Sequence, residues 1–284
     1  MDPASWSVRV PASSANLGAG YDVLGMALSL HAEVGVGPPP DERAHRVDRS
    51  HPAAVAFERA GGRGPLWVRS PIPMGRGLGF SGAVRVGGAS AAFVQRAGPD
   101  ALDDAELVAE VLTITSELEG HADNVGPSIF GGIVVCTAGV VEQIPLALDP
   151  AVVVWIPDGT TTSTNTSRAM LPTEVPMADA VFNLGRVASF VAACAAGDHR
   201  ALRRATEDRL HQPIRLAAVP ECSAAIDAAL DAGAWAAWLS GSGPTVAAMC
   251  EPARADELAT AMPSGGHTKT LRIDHEGATV TRRI

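Results

Sequence analysis

Lysine is almost missing from this chain, because Lys269 is the only lysine among 284 residues. A P-loop needs a lysine directly after its glycines to reach the nucleotide phosphates, so no glycine-rich segment here is a P-loop. A pyridoxal Schiff base at any other position is excluded for the same reason. Since arginine supplies nearly all the basic side chains, side chains would grip an anion either through an arginine fork or through a metal ion.

Positive charge is also scarce, and long apolar runs are absent. The formal net charge is −9 and the pI is about 5.3, which disfavours binding to nucleic acid or to anionic membrane surfaces. No apolar run reaches the roughly 18 to 20 residues that a membrane span needs, and the first residues lack the basic and apolar regions of a signal peptide. We therefore expect a soluble cytoplasmic protein with neither a membrane nor a nucleic-acid partner.

Cysteine is present without any metal-type or redox-type spacing. The four cysteines are Cys136, Cys194, Cys222 and Cys250, and no two of them form a CxxC motif. Three lie in apolar runs and are interpreted as buried small hydrophobic residues. A reduced, cytoplasmic setting fits this pattern.

The element pattern predicts an α+β fold. Hydrophobic residues make up 46% of the chain, enough for one large or two modest domains. Short strands alternate with pairs of helices, which favours two lobes joined near residue 150. The predicted strands are 8–10, 32–37, 66–69, 132–137, 140–144, 151–156, 235–239, 246–250, 268–273 and 278–283. The predicted helices are 52–60, 81–96, 101–119, 177–196, 199–210, 222–232 and 253–262, and residues 11–20 are predicted to form a turn-rich loop.

Residues 71–83, PIPMGRGLGFSGA, carry the clearest signal for function. Gly75, Gly77 and Gly79 lack a Cβ, so their backbone N–H groups can approach an anion closely. The helix predicted from Ser81 would begin at this loop, and a helix N-terminus is a ready phosphate site. The segment therefore indicates nucleotide chemistry, and the rest of the chain must decide which kind.

Two polar segments of the first half have both a structural and a functional interpretation. Asn16 and Asp22 follow the first strand and are typical of a capped turn. Residues 117–124, ELEGHADN, end a helix, where a histidine and polar loop residues are also common. Mg²⁺ needs one or two carboxylates plus substrate phosphates, and either Glu117 or Glu119 could supply one. A zinc site is disfavoured because no second histidine stands at ligand spacing.

The second half adds two arginines and a second glycine motif. Arg168 ends the segment TNTSR, and Arg215 ends the segment DRLHQPIR. Either arginine alone is most simply a surface residue, but an arginine fork suits a carboxylate or a phosphate. Gly241-Ser-Gly-Pro-Thr245 is a tight strand connection, a second phosphate loop, or both.

Taken together, these segments resemble the GHMP kinases and, within them, the homoserine kinases. The resemblance rests on the glycine loop and on four further blocks in family order: VPASSANLGAGYDVLG at 10–25, EGHADNVGPSIFGG at 119–132, DAVFNLGR at 179–186 with DRLHQPIR at 208–215, and LSGSGPTV at 239–246. It implies a two-lobed GHMP kinase fold. A ribosomal-protein-S5-like, ATP-binding domain would span residues 1–150, and a ferredoxin-like domain would span residues 151–284.

The same resemblance implies roles for individual residues, with ATP and Mg²⁺ as cofactors. Ser81 and Glu117 would bind Mg²⁺, and Asn124 and Arg168 would be catalytic. Asn124 stands where related kinases carry an aspartate base, and an amide cannot accept the hydroxyl proton. Catalysis would then rest on positioning and electrostatics, which suffices for a loose phosphoryl-transfer transition state. The amino acid would be held by Asn16, Asp22, His121, Thr164, Arg168 and Arg215. The ATP phosphates would be held by Pro73, Met74, Gly75, Arg76, Gly77, Leu78, Gly79, Phe80, Ser81, Gly82, Gly241, Ser242 and Gly243.

The chain departs from the family pattern near the glycine loop. Phe80 stands where the family usually has serine or threonine, which removes a hydroxyl from the phosphate loop. Gly82 replaces a usual alanine and weakens the start of the helix. Arg85 occupies a normally small or apolar position, from which it either reaches a phosphate or faces solvent. The family's Asn-Leu-Val stretch, which lines the adenine pocket, is missing, and residues 51–55, HPAAV, stand nearby instead.

The implied function is ATP-dependent phosphorylation of the L-homoserine side-chain hydroxyl to O-phospho-L-homoserine, in threonine biosynthesis. Two alternatives stay open. One is a GHMP kinase for another small hydroxy or amino-acid substrate. The other is a non-catalytic homologue with impaired nucleotide binding, which Phe80 and the missing adenine segment favour. A homodimer is implied by the resemblance alone.

Overall fold

The computed structural model describes residues 6–282. The strands are β1 (Trp6–Ala15), β2 (Leu24–Val36), β3 (His45–Arg46), β4 (Leu66–Arg69), β5 (Ile133–Thr137), β6 (Val140–Gln143), β7 (Ala151–Pro157), β8 (Ala236–Leu239), β9 (Val246–Cys250), β10 (Gly266–Arg272) and β11 (Thr279–Arg282). The helices are α1 (Pro52–Arg59), α2 (Phe80–Ala97), α3 (Ala105–Glu119), α4 (Val125–Phe130), α5 (Thr164–Ala169), α6 (Met177–Ala196), α7 (His199–Ala205), α8 (Gln212–Ala217), α9 (Pro220–Asp231) and α10 (Ala255–Ala261).

The first lobe is built on a seven-stranded sheet. Its strand order is β11-β1-β2-β4-β3, with β5 also paired to β2 and β6 paired to β5. Helix α2 lies between this sheet and α1, and two glycines allow the close approach. A Cβ added to Gly87 would lie 2.5 Å from a methyl of Val34, and one added to Gly88 would lie 2.1 Å from the carbonyl oxygen of Ala53. The middle of α2 is thereby packed closely against β2 on one side and α1 on the other.

The second lobe is built on a four-stranded antiparallel sheet with the order β10-β7-β9-β8. Helices α5 to α9 connect β7 to β8, and α10 connects β9 to β10. This βαββαβ arrangement is ferredoxin-like. Strands β7, β8 and β9 are buried along their whole length, which explains why they read as continuous apolar runs. The predicted two-lobed α+β fold is confirmed.

The chain's last strand belongs to the first lobe. Strand β11 pairs antiparallel with β1, so that Val280 lies opposite Val8. The chain already returns to the first sheet before β11, at an isolated antiparallel bridge between Ile273 and Leu28 of β2. The predicted division at residue 150 therefore needs one correction: the second sheet ends with β10, and the segment after it returns to the first. The last residue of the predicted strand 278–283, Arg283, lies outside the described residues.

Several predicted element bounds were wrong, and local hydrogen bonds explain two of them. The predicted helix 101–119 is divided because the Asp104 carboxylate accepts from the N–H groups of Glu106 and Leu107 and starts α3 afresh. The predicted helix 199–210 stops at Ala205, and the Asp208 carboxylate then accepts three backbone N–H groups, of Leu210, His211 and Gln212. The predicted loop 11–20 is strand β1 as far as Ala15, and β2 begins at Leu24.

Helix α6 is unusually exposed for its composition. By length and composition alone it could cross a membrane, with a mean hydropathy of 1.3 and only 22% of its apolar window buried. Its apolar run is nevertheless interrupted by polar side chains that bond to the segment after α7: Asp179 to Arg209, Asn183 to Asp208 and Arg186 to Glu207. Met177, Val181 and Leu184 are exposed on its outer face. The helix is therefore attached to the second lobe by one side and open on the other.

Candidate active site

A cleft between the two lobes collects most of the residues predicted for function. The first lobe contributes the glycine loop, the turn after β1, the start of α2 and the segment after α3, whereas the second contributes α5, α8 and the β8–β9 connection. The lining residues are Ala15, Asn16, Asp22, Pro52, Pro73, Met74, Gly75, Arg76, Gly77, Gly79, Phe80, Ser81, Gly82, Glu119, His121, Asp123, Asn124, Thr162, Thr164, Arg168, Arg215, Gly241 and Ser242. Of the predicted site residues, Leu78, Glu117 and Gly243 are outside this set.

The glycine loop has a conformation that only glycine adopts easily. Gly75, Gly77 and Gly79 have φ of +66°, +75° and +67°. A Cβ on Gly77 would lie 2.3 Å from the carbonyl oxygen of Ser240, and a Cβ on Gly79 would lie 2.0 Å from the hydroxyl of Ser13. The loop is therefore held against both lobes.

Two of the residues predicted to bind ATP, Leu78 and Gly243, support the site from outside the cleft lining. Leu78 is fully buried, and its carbonyl oxygen accepts a 3.2 Å hydrogen bond from the N–H of Ser13. The carbonyl of Gly243 accepts from the hydroxyl of Thr162. Leu78 and Gly243 thus support the loop and the β8–β9 connection from behind, outside the cleft lining.

Helix α2 begins at Phe80, directly after the glycine loop. Gly79 is its N-cap residue, in a left-handed conformation. The first N–H groups of a helix have no intrahelical partners, so this end of α2 presents donors and the positive end of the helix dipole to the cleft. Such a site suits a phosphate.

A carboxylate lies beside this helix start. The hydroxyl of Ser81 donates to Oε1 of Glu119 over 2.5 Å, and Arg85 forms an ion pair with the same oxygen. The Glu119 side chain is 11% exposed. A carboxylate and a hydroxyl facing a phosphate site are donors that Mg²⁺ accepts.

Glu117, which the resemblance assigned to Mg²⁺ together with Ser81, lies outside the cleft. Its side chain is 57% exposed and pairs with Arg59 of α1 over 3.1 Å. Residues two apart on a helix are turned by roughly 200°, so Glu117 and Glu119 face opposite sides of α3. The sequence left these two residues as alternatives, and of the two Glu119 is the one that lines the cleft.

Asn16 and Asp22 form the turn between β1 and β2. Both have positive φ, +72° and +57°, which asparagine and aspartate tolerate better than most residues. The Asn16 side-chain oxygen accepts from the N–H of Asp22, and its amide donates to the carbonyl of Gly241, each over 3.0 Å. Asn16 therefore shapes the turn and joins it to the second lobe.

Arg168 binds Asp22 with both ends of its guanidinium group. Its Nη1 and Nη2 donate to the two carboxylate oxygens over 2.8 and 2.6 Å, and Nη1 also donates to the hydroxyl of Tyr21 over 3.1 Å. Desolvation opposes the charge of Arg168, but the hydrogen bonds and the negative charge of Asp22 outweigh it and raise the pKa of this arginine. Thr164, the first residue of the same helix α5, lines the cleft beside it.

Arg215 is more deeply buried than Arg168, with 4% of its surface exposed. It donates to the carbonyl of Gly241 over 3.1 Å and lies over the ring of Tyr21, 5.3 Å from the centroid. Its Nη1 also meets Nδ1 of His211, whose Nε2 faces the carbonyl of Gly18. Burial lowers the pKa of both His211 and Arg215, so a neutral His211 accepting from Arg215 fits these contacts.

His121 and Asp123 form a second polar pair in the cleft. The ring Nδ1 of His121 lies 2.5 Å from a carboxylate oxygen of Asp123, and Asp123 is almost fully buried. Desolvation disfavours the charged ring, but the bond to Asp123 outweighs it and raises the pKa of His121. Among the described residues, the buried Nε2 of His121 has no hydrogen-bond partner. A buried ring nitrogen without a partner in a cleft is suited to bind a ligand atom.

Asp123 was missed by the sequence prediction. It stands between His121 and Asn124, which were both selected, and belongs to the polar segment 117–124. Its carboxylate, that of Asp22 and the ring of His121 place ligand atoms within 4.8 Å of one another. Two carboxylates lie here with one guanidinium group, that of Arg168, so the cluster is suited to a further cationic group such as an ammonium.

Asn124 lies where the glycine loop meets the segment after α3. Its side-chain oxygen accepts a 3.0 Å hydrogen bond from the hydroxyl of Ser13, which leaves its amide NH₂ as the remaining donor group. A Cβ on Gly82 would lie 3.3 Å from the Cβ of Asn124. Glycine at position 82 therefore lets the start of α2 approach Asn124 closely.

Phe80 lies at one end of the cleft with other apolar side chains. Its ring meets that of His51 edge to face, with centroids 6.2 Å apart. His51 caps α1 by accepting from the N–H of Ala53, and burial lowers its pKa. Pro52, Pro73 and Met74 are further apolar residues of the cleft lining, and Met74 is 70% exposed. The region that departs from the family pattern is thus a small apolar shelf.

Comparisons with known proteins agree with this architecture. The family model of the GHMP kinase N-terminal domain matches residues 47–132, and that of the GHMP kinase C-terminal domain matches residues 190–268. A homoserine kinase of Thermus thermophilus is 41% identical, over 88% of this chain and 87% of the relative. A homoserine kinase of Moorella thermoacetica is 42% identical, over 86% of each. The crystal structure of homoserine kinase from Cytophaga hutchinsonii superposes with a TM-score of 0.83, at 25% identity, over 99% of this chain and 98% of that chain. The chain therefore belongs to the GHMP kinases and, within them, to the homoserine kinase family.

Proposed function

We propose that the protein transfers the γ-phosphate of ATP to the side-chain hydroxyl of L-homoserine and releases O-phospho-L-homoserine. The observation that carries this proposal is that a phosphate-type loop and a zwitterion-type pocket open into one cleft. Its relatives of about 40% identity bear the name homoserine kinase. The proposal divides the cleft into an acceptor end, a phosphate centre and an apolar end for the base.

The acceptor end has the charges that an amino acid needs. Asp22 and Asp123 would bind the ammonium group, and Arg168 and Arg215 would bind the carboxylate. Arg168 would release part of its contact with Asp22 when the amino acid inserts, so that one internal ion pair is replaced by two with the substrate. Asn16, His121 and Thr164 would complete the contacts, and the unpartnered Nε2 of His121 supports this arrangement.

The phosphate centre would consist of the glycine loop, the start of α2 and the β8–β9 connection. Gly75, Gly77 and Gly79 leave room for phosphate oxygens to approach the backbone. The donor set of Ser81 and Glu119 fits a magnesium ion, so we assign these two residues as its protein ligands in place of the predicted pair of Ser81 and Glu117. Mg²⁺ held there would neutralise phosphate charge during transfer.

Catalysis would rest on positioning rather than on a general base. Asn124 stands at the position of the aspartate base of related kinases, and an amide cannot act as a general base. Its NH₂ group would donate to an oxygen of the reacting phosphoryl group, while Arg168 would add positive charge on the acceptor side. Oriented donors of this kind are sufficient for a loose phosphoryl-transfer transition state.

A panel of acceptors tests the proposal. Purified protein with ATP and Mg²⁺ would be assayed with L-homoserine, D-homoserine, L-serine, L-threonine, 4-hydroxybutyrate and 3-amino-1-propanol. The last two lack the ammonium and the carboxylate respectively, so each removes one half of the proposed recognition. L-Homoserine should have the highest kcat/KM by at least about tenfold. A faster non-amino-acid acceptor would support the alternative of another GHMP kinase.

A second candidate function is favoured by the apolar shelf. Phe80 removes a hydroxyl from the phosphate loop and the family's Asn-Leu-Val stretch is missing. A protein that binds the amino acid but not ATP would show the same acceptor end. Calorimetry with Mg-ATP separates the two candidates. Micromolar binding of ATP supports the kinase, whereas amino-acid binding without nucleotide binding supports the second candidate.

We further propose that the protein is a cytoplasmic homodimer. Met177, Val181 and Leu184 follow helical spacing on the exposed face of α6, which suits the same face of a second copy. All four cysteines are free and buried, and burial raises the pKa of Cys136 and of Cys194 to about 12, which fits unreactive thiols in a reducing compartment. Light scattering of the parent and of Leu184→Glu tests the dimer, since the variant should be monomeric.

A further inference from the structure

Arg85 and Ser81 contact the same atom of Glu119. They stand one turn apart on α2, and both reach Oε1. The Arg85 side chain is 20% exposed and that of Glu119 is 11% exposed, so the ion pair is largely shielded from solvent. The sequence left two orientations open for Arg85, toward a phosphate or toward solvent. The structure directs it at the carboxylate beside the phosphate loop.

We propose that Arg85 is a built-in cation at the magnesium site, so that a divalent metal must compete with its guanidinium group for Glu119. This inference rests on the proposed function, which assigns Ser81 and Glu119 to the metal. It makes Arg85 the residue that sets metal affinity in the nucleotide-free protein.

The competition follows from the number and charge of the groups. A guanidinium group is not deprotonated in proteins. A positive charge within a few ångströms of a metal ion repels it strongly where water is partly excluded. The guanidinium also removes a lone pair of Oε1 that a metal would otherwise take. Both effects weaken metal binding before the phosphates arrive.

The guanidinium group of Arg85 does not have all of its hydrogen bonds in the ion pair with Glu119. Among the described residues, the buried Nε of Arg85 has no hydrogen-bond partner. A buried donor without a partner is unfavourable, so a further acceptor at this nitrogen would improve the hydrogen bonding of the guanidinium. A phosphate oxygen is such an acceptor, which would let the nucleotide draw Arg85 away from Glu119 as the metal arrives.

The chain contains a matched control. Arg59 and Glu117 form another arginine–glutamate pair with α3, but it is exposed and outside the cleft. Glu117 is two residues from Glu119 on the same helix. A substitution at Arg59 therefore also removes a positive charge that pairs with a glutamate of α3, but it does not touch the proposed metal ligands.

The test is a titration of Mn²⁺ into the nucleotide-free protein, with free Mn²⁺ measured by electron paramagnetic resonance. Removing one nearby positive charge should tighten binding by about tenfold in Arg85→Met. Arg85→Lys keeps the charge and should stay within about threefold of the parent. Arg59→Met should differ by less than about twofold, and Glu119→Gln should lose the site. Thermal melting establishes that each variant is folded.

Unchanged Mn²⁺ affinity in a folded Arg85→Met protein would overturn the inference, as would equal tightening in Arg85→Lys. If Arg85→Met does not fold, Arg85→Gln replaces it as the variant without the positive charge, and its Mn²⁺ affinity is compared with that of Arg85→Lys. The titration uses neither ATP nor an amino acid. It can therefore succeed if homoserine proves not to be the acceptor, and it can fail while homoserine phosphorylation stands.

Discussion

Arg168 holds both carboxylate oxygens of Asp22, at 2.8 and 2.6 Å, across the cleft between the two lobes. Arg168 comes from the short helix after β7, and Asp22 comes from the turn between β1 and β2. The pair therefore joins the lobes at the place proposed for the amino acid. A zwitterion inserted there would restore a partner to each charge, which explains how a partly exposed ion pair and a substrate pocket can share the same residues.

Arg168→Met should lower kcat/KM for homoserine by about 100-fold, chiefly through KM. A charge-assisted hydrogen bond contributes about 1.5–3 kcal/mol, and about 1.4 kcal/mol is tenfold in binding. Steady-state kinetics at saturating ATP measures the effect. Arg186→Met is the control, because Arg186 pairs with Glu207 outside the cleft. Equal losses in both variants, or none in Arg168→Met, would remove the proposed carboxylate contact.

Gly77→Ala should abolish nucleotide binding. The new Cβ would lie 2.3 Å from the carbonyl oxygen of Ser240, and the residue has φ of +75°. Gly64→Ala has the same unfavourable sign of φ but meets nothing within 4 Å, so it should cost only about 1 kcal/mol of stability. Calorimetry with Mg-ATP and urea unfolding of both variants separate loop geometry from backbone strain. Normal ATP affinity in Gly77→Ala would contradict the assignment of this loop.

Asn124→Ala should lower kcat by about 10- to 100-fold, since an oriented donor to developing charge is lost, with little change in the KM for homoserine. Because an amide does not titrate, the pH dependence of kcat should keep its shape. Rate measurements between pH 6 and 9 check both statements. A new or shifted ionisation in the variant would show that position 124 controls a proton-transfer group.

The His121–Asp123 pair should make stability depend on pH. The pKa of folded His121 lies above its ordinary value of 6.5. The pair's contribution is therefore complete below about pH 6.5 and is lost as the pH rises through the higher folded pKa. Urea unfolding of the parent and of Asp123→Asn at pH 6 and pH 9 measures it. The variant should be destabilised more at pH 6, and an equal effect at both values would contradict the raised pKa.

The long elements and the glycine loop could be predicted from the sequence because their signals are local. Glycines at alternate positions, followed by an apolar helical repeat, are sufficient to identify the loop and α2. Helices α4, α5 and α8 have six residues each, too few turns for a periodic pattern to stand out. The return of β11 to the first sheet could not be predicted either, since it depends on pairing with the other end of the chain.

Within the site, the sequence identified candidate residues better than it predicted which of their side chains face the cleft. Glu117 and Glu119 are the same residue type two positions apart. Only their positions around α3 place Glu119 in the cleft and Glu117 against Arg59. Arg85 could not be assigned because its partner is 34 positions away. Asp123 was missed although it lies between two selected residues, because nothing local indicates that its carboxylate is buried against His121.

The most direct measurement is phosphorus NMR of the protein with ATP, Mg²⁺ and L-homoserine. The account predicts that a phosphomonoester resonance, coupled to the methylene protons of homoserine, grows in step with ADP. The same spectrum without homoserine should show neither product. Accumulation of ADP with inorganic phosphate alone, or no consumption of ATP at all by folded protein, would contradict the central claim that this cleft phosphorylates homoserine.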